Sequence, residues 1–136
     1  MTQELEPLPG FASLLGLELV ESSGDGVLMR WKVRPELHQP HGILHGGVHC
    51  AVVETAASIA AALWFGERGT VVGVANSTDF YRGVRDGELT SRAVPVHRGR
   101  SQQVWTVETT DEQGRLIARG QVRLQNLAAA PREERR

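Results

Sequence analysis

The residues best equipped for chemistry fall in one stretch, HQPHGILHGGVHCAVVETAASIAA, at positions 38–61. It holds His41, His45 and His49 at four-residue spacing, the glycines 42, 46 and 47, and then an apolar run whose one carboxylate is Glu54. From Gly46 to Phe65 alanines and long apolar side chains continue without a breaker, which predicts a helix about 30 Å long. On it Gly47, Ala51, Glu54 and Ser58 follow at spacings of four, three and four and share a face. An acid among Val52, Val53, Ala56, Ala57 and Ile59 is costly to desolvate without a partner, which makes Glu54 a candidate base or nucleophile. The competing reading, a solvated face on a partly exposed helix, requires a broad polar side that these neighbours do not supply.

Gly46 and Gly47 stand where the preceding loop becomes helix. The first N–H groups of a helix have no intrahelical acceptor and lie at its positive end, a ready seat for a developing oxyanion. Taken alone the pair also reads as a plain glycine-rich turn; Glu54 is what gives it weight. Eight residues separate Gly46 from Glu54, roughly 12 Å of helix. A carbonyl held at the Gly46 N–H needs its attacking group about 3–3.5 Å from the carbon. If both act on one carbonyl, they come from different subunits with antiparallel helices, and the protein is an obligate dimer with two equivalent sites. A metal reading of His41, His45 and His49 needs the helix to start before the glycines, and no H-E-x-x-H pattern occurs, so no metal is expected. His45 is placed to orient a carbonyl, His49 reads as structural, and His38 as a polar loop residue.

The elements that must carry these groups follow from the rest of the chain. PGFASLLG predicts a short helix ending at Gly16, and LELVES and GVLMRWKVR predict two strands turning at SGDG. Residues 34–45, rich in Pro, His and Gly, read as a loop. After Gly69, TVVGVANSTDF, ELTSRAVPVH, QQVWTVETT and RLIARGQVRLQNL read as four strands in succession, which implies an antiparallel meander. The helix, apolar on more than one stripe, should be covered on most sides. Two strands, one long helix and four strands give an α+β architecture, a curved antiparallel sheet of about six strands around a central helix, the hot-dog fold. With 136 residues, 40% hydrophobic and 23% charged, the chain suits one domain, residues 1–127, followed by a charged tail, 128–136, expected to be disordered. A net charge of −1 offers no general attraction to nucleic acid or an anionic membrane. The apolar run contains His49, Glu54, Thr55 and Ser58, against a membrane span. One cysteine, Cys50, and no visible secretory signal lead to the expectation of a cytoplasmic protein.

The ordered series Gln39, His45-Gly46-Gly47 and Glu54 resembles the hot-dog acyl-CoA thioesterases of the phenylacetate and 4-hydroxybenzoyl-CoA type. Glutamate at 54, with HGILHGG preceded by Gln39-Pro40, is similar to the branch that includes the 1,4-dihydroxy-2-naphthoyl-CoA thioesterases. The similarity continues through VVGVANSTDFYRGV, VHRGRSQQVW and DEQGR, over roughly residues 30–126. It implies that Glu54 activates water or attacks the thioester, that the Gly46 N–H holds the carbonyl oxygen, that Gln39 and His45 orient the carbonyl, and that Ser58 sits near the carboxylate or the attacking water. For coenzyme A it implies Gly73, Phe80, Tyr81, Arg82 and Gly83, and His97, Arg98, Gly99, Arg100, Ser101 and Gln102. Arg98 and Arg100 suit phosphate oxygens, although RGR also reads as a solvated hairpin tip. No cofactor is implied, since coenzyme A is part of the substrate, and the implied assembly is a homodimer within a homotetramer. Phe80 and Tyr81 stand where naphthoyl-CoA members tend to have histidines, a departure that bears on the acyl group. Two other readings compete. A hot-dog dehydratase or hydratase would carry a loop histidine in a GHFP-like pattern or an Asp–His dyad, absent here. A non-catalytic acyl-CoA-binding module would keep HRGRSQ without needing Glu54.

Overall fold

The computed structural model describes residues 6–130. A two-residue strand β1 (Glu6–Pro7) and a one-turn helix α1 (Phe11–Leu14) lead into the hairpin of β2 (Glu18–Ser23) and β3 (Gly26–Lys32). A loop containing a 3₁₀ turn at Pro35–Leu37 precedes the long helix α2 (Gly46–Phe65). A second 3₁₀ turn, Gly66–Arg68, reverses the chain into β4 (Gly69–Phe80), followed by β5 (Glu88–Arg98), β6 (Gln102–Thr110) and β7 (Leu116–Ala128). The expected helix bounds and the six long strands are present. β7 runs to Ala128, into the stretch assigned to the tail, whose residues 131–136 lie outside the described residues.

All strands join one antiparallel sheet in the order β1-β2-β3-β5-β6-β7-β4. This corrects the expected four-strand meander: only β5, β6 and β7 follow one another, while β4 pairs with β7 at the far edge and β5 pairs with β3. The difference lies in the connections. RGRS and DEQG are tight hairpin turns, whereas residues 81–87 exceed hairpin length and cross from one side of the sheet to the other. That crossing is fastened by Tyr81 N–H to the Ile117 carbonyl (2.8 Å) and Leu44 N–H to the Val84 carbonyl (2.7 Å).

Helix α2 presses Val48, Val52, Val53, Ala56, Ala57, Ala60 and Ala61 against the concave face of the sheet. The small side chains let helix and sheet approach closely. At Gly120 of β7 a Cβ would stand only 2.6 Å from Val53 Cγ1, so the crossing point requires glycine. Apart from His49 Nδ1, the buried polar side chains on this face are paired. Trp31 Nε1–H donates to Ser91 Oγ (3.0 Å), which bonds Thr109 Oγ1 (2.7 Å). Trp105 Nε1–H donates to Gln103 Oε1 (2.8 Å), and Gln103 Nε2–H donates to the Ala61 carbonyl (3.2 Å) and to Asn126 Oδ1 (2.8 Å). Trp31 and Trp105 are thus core residues, as buried indoles with satisfied N–H groups should be, whereas Trp64 is half-buried.

The opposite side of α2 departs from expectation. Gly47, Cys50, Ala51, Glu54, Thr55, Ser58, Ile59 and Leu63 are partly or fully exposed, so one chain covers the helix on one side only. Helix and following turn, Gly46–Arg68, are long and apolar enough to span a membrane by composition, but half of that stretch is packed under the sheet.

Candidate active site

Each glycine at the start of α2 has its own reason to be there. His45 precedes the first turn in extended backbone, and its Nδ1 accepts the Gly47 N–H at 2.8 Å. The ring lies so close that a Cβ on Gly47 would meet Nδ1 at 2.9 Å. With Nδ1 accepting, the proton of the neutral ring is on Nε2, which is left as a donor. At Gly46 the ring of Phe80 fills the space, 2.7 Å from where a Cβ would stand. Among the described residues the Gly46 N–H has no acceptor, so an unpaired donor remains at the positive end of a twenty-residue helix.

The loop before the helix is folded on itself. Gln39 N–H donates to the Ile43 carbonyl (2.8 Å), the Gln39 carbonyl accepts from Gly42 N–H (3.0 Å), and Gln39 Oε1 accepts from His41 N–H. The Gln39 amide therefore keeps its NH₂ end for another acceptor. His38 bonds the Arg85 carbonyl through Nε2 (2.7 Å) and ties this loop to the crossing segment 81–87. Since the helix starts at Gly46, His41 lies off it, and the three evenly spaced histidines do not converge. Among the described residues no group of three or more His, Cys, Asp or Glu could hold a metal ion.

Two turns along, the Glu54 carboxylate is half-buried and held from two sides. Ser58 Oγ–H donates to Oε2 (3.2 Å), and Asn76 Nδ2–H on β4 donates to Oε1 (3.4 Å). A Cβ on Gly73 would overlap Oε2, so the carboxylate rests on bare backbone. Gly73, expected at coenzyme A, thus lies under the acid. Asn76 was not anticipated. Its only signal was an amide residue, poorly suited to strands, in the middle of one.

The segments expected at coenzyme A occupy opposite ends of the molecule. Tyr81, Arg82 and Gly83 follow the end of β4, at the end where Phe80 meets Gly46 and a Cβ on Gly83 would stand 3.3 Å from Ile43 Cδ1. His97 to Gln102 form the β5–β6 turn, where Asn126 Nδ2–H donates to the carbonyls of Gly99 (3.0 Å) and Arg100 (3.1 Å). Asn126 pairs with Val71, so this turn lies nine strand residues, roughly 30 Å, from Phe80. A Cβ on Gly99 would overlap His97 Nε2. Arg98 already has partners, donating from one guanidinium nitrogen to the Gly24 carbonyl (2.8 Å) and Asp25 Oδ1 (2.8 Å), whereas Arg100 is exposed and has no ion pair among the described residues.

Behind the helix start, His49 is 3% exposed, stacked on Phe80 (ring centroids 5.8 Å apart) and edge-on to Trp31 (6.0 Å), with no partner for its Nδ1. Burial lowers its pKa from 6.5 to about 4. The folded state therefore keeps His49 neutral where the unfolded chain takes up a proton, and stability falls as pH drops from 6.5 towards 4. The loss should approach about 3 kcal/mol at the acid end of that window. Urea unfolding of wild type and His49→Phe across these pH values should show a shallower acid loss in the variant; equal slopes would contradict the assignment.

A seven-stranded antiparallel sheet curved over one long helix, with an unpaired N–H at the helix start and a braced carboxylate on its face, defines a hot-dog enzyme acting on a carbonyl. The chain belongs to the thioesterase superfamily, whose profile it matches over residues 41–118, and is thus a thioester hydrolase. It is similar to the solved structure of S. sahachiroi AziG (60% identity, TM-score 0.88, 90% of this chain and 99% of that one). It is also similar to that of Mycobacterium tuberculosis Rv1847 (52% identity, TM-score 0.87, 89% of this chain and 98% of that one). A third relative is the 1,4-dihydroxy-2-naphthoyl-CoA hydrolase of Listeria monocytogenes, 33% identical over 79% of this chain and 88% of its own.

Proposed function

We propose that the chain hydrolyses an acyl-CoA with an aromatic or medium apolar acyl group, such as 1,4-dihydroxy-2-naphthoyl-CoA or another aryl- or phenylacetyl-CoA, to the free acid and coenzyme A. The observation that carries the reading is the pairing, on one helix, of a free Gly46 N–H with a donor-held Glu54 carboxylate. The Gly46 N–H takes the carbonyl oxygen, with the Gln39 NH₂ and His45 Nε2–H as further donors. Glu54 either removes a proton from the water that attacks the carbonyl carbon or adds to that carbon itself. In both routes the C–S bond breaks and the thiolate leaves; in the second, water then cleaves the acyl–Glu54 anhydride, releasing the free acid and restoring the carboxylate. A thiolate is a good leaving group, so carbonyl polarisation and one carboxylate suffice, with no cofactor.

The working unit is a homodimer. The helix is unbroken between Gly46 and Glu54, so roughly 12 Å still separates them. The two coenzyme A segments are likewise too far apart for one ligand in one chain. Antiparallel pairing about a two-fold axis brings the Gly46 and Arg82 end of one chain to Glu54 and Arg100 of the other. The side of α2 left open carries Leu63, 48% exposed, and β4 ends the sheet as a free edge, features suited to such pairing. Two clefts of about 420 Å³ that the chain forms alone, one lined by Arg82, Asp86, Asp111 and Arg115 and one by Leu28, Arg92 and Val94, include neither Glu54 nor Gly46. The second lies on the outer face of the sheet, where two dimers could stack into a tetramer. Arg100 takes the phosphate contact, with Arg98 shaping the turn. The enzyme works in the cytoplasm, where Cys50 stays reduced.

Thiol release from aryl-, naphthoyl-, phenylacetyl- and fatty acyl-CoAs tests the reading. The highest kcat/KM should fall on an aryl, naphthoyl or phenylacetyl substrate. A clear preference for long fatty acyl chains, or no release from any, would overturn it.

A further inference from the structure

Strand β4 does not alternate simply. Its pairing with β7 runs Gly73 to Leu124 and then Ala75 to Arg123, leaving Val74 as an extra residue in a bulge. Before the bulge the odd-numbered Gly73 faces the helix. After it the even-numbered residues do: Asn76 reaches Cys50 and Glu54, Thr78 lies with Val53 over Gly120, and Phe80 stacks on His49. In unbroken register Ala75, Ser77 and Asp79 would take those places. The inserted residue is what brings an amide to the carboxylate.

The amide is fixed at both ends. Asn76 Nδ2 donates to the Cys50 carbonyl (3.0 Å) and to Glu54 Oε1 (3.4 Å), while Oδ1 accepts from Thr78 Oγ1–H (2.7 Å). Neither helix acceptor can donate, so the NH₂ end must face the helix. A glutamate on its own rotates freely about several bonds. With Ser58 on Oε2 and Asn76 on Oε1 it is tied from two elements, and each oxygen keeps capacity to accept a further proton or contact.

We propose that Asn76, presented by the β4 bulge and braced by Thr78, is a positioning residue that clamps the Glu54 carboxylate to the helix backbone at Cys50 in one reactive orientation. The proposal rests on Glu54 being the reacting carboxylate, and its test separates the two claims. With the panel substrate that wild type turns over fastest, Asn76→Leu should lower kcat by about ten- to a hundredfold, the scale of a misplaced reacting group, with KM changed by no more than about twofold. Asn76→Asp keeps the shape and adds a second carboxylate beside Glu54, so the acid limb of kcat/KM should move to higher pH by about one unit or more. Thr78→Val should lower kcat in the same direction and Thr78→Ser should restore it. Melting temperature and circular dichroism report folding for each; should Asn76→Leu not fold, the near-isosteric Asn76→Asp and the Thr78 pair carry the test. Wild-type kcat in Asn76→Leu, or an unmoved acid limb in Asn76→Asp, beside an inactive Glu54→Gln, overturns the positioning role alone. An active Glu54→Gln removes Glu54 as the reacting group, and the clamp falls with it.

Discussion

Glu54→Gln is expected to lose at least about a hundredfold in kcat on the best acyl-CoA, or about 2.7 kcal/mol of transition-state stabilisation. The substitution is suited to the purpose because it keeps the side chain's length and leaves an oxygen to accept from Ser58 or Asn76. Lost turnover then reports lost basicity or nucleophilicity rather than a collapsed seat. The carboxylate lies on the half-exposed side of α2, outside the packed cluster of Val52, Val53, Ala56 and Ala57, so melting temperature should change little. Turnover near that of wild type would remove Glu54 from the mechanism.

The second large effect concerns how the site is divided. Gly46→Pro removes the N–H assigned to the carbonyl oxygen, at the first helical position, where proline is tolerated. The Phe80 ring beside it must swing aside, which a half-exposed side chain can do. Homodimers of Gly46→Pro and of Glu54→Gln should each be nearly inactive. In a heterodimer purified through two different tags, one interface pairs the intact Gly46 of one chain with the intact Glu54 of the other, and its partner interface holds both defects. Activity should return to about half that of wild type. If subunits exchange and nothing returns, both groups serve from the same chain and the distance argument fails.

The parts of this molecule written in local pattern were legible beforehand. Gly46 and Phe65 bound the helix because a glycine pair opens it and no breaker interrupts the alanines between. The spacing of Glu54 and Ser58 gave their contact, now seen at 3.2 Å. Non-local features were not legible. Nothing in TVVGVANSTDF says that β4 pairs with β7 rather than β5, because strand partners depend on how residues 81–87 cross the molecule. Alternation of side chains conceals a bulge, so Asn76 could not be assigned to either face. The contacts of Arg98 with Gly24 and Asp25 were not legible either, because these partners lie more than seventy residues away in sequence. The place of His45 before the helix marks its imidazole as a substrate contact; that it also caps the helix, which explains the second glycine of HGG, shows only in three dimensions.

The single unpaired residue at Val74 also governs how this segment can change over generations. Side chains along β4 can be exchanged one at a time, each with a local effect. A gain or loss of one codon between Gly73 and Asn76 is different in kind, since it reverses the parity of everything that follows. Loss of one residue there would give a more regular strand, yet carry Asn76, Thr78 and Phe80 to the outer face together and turn Asp79 inward. In this stretch length is the inherited constraint and composition the freedom.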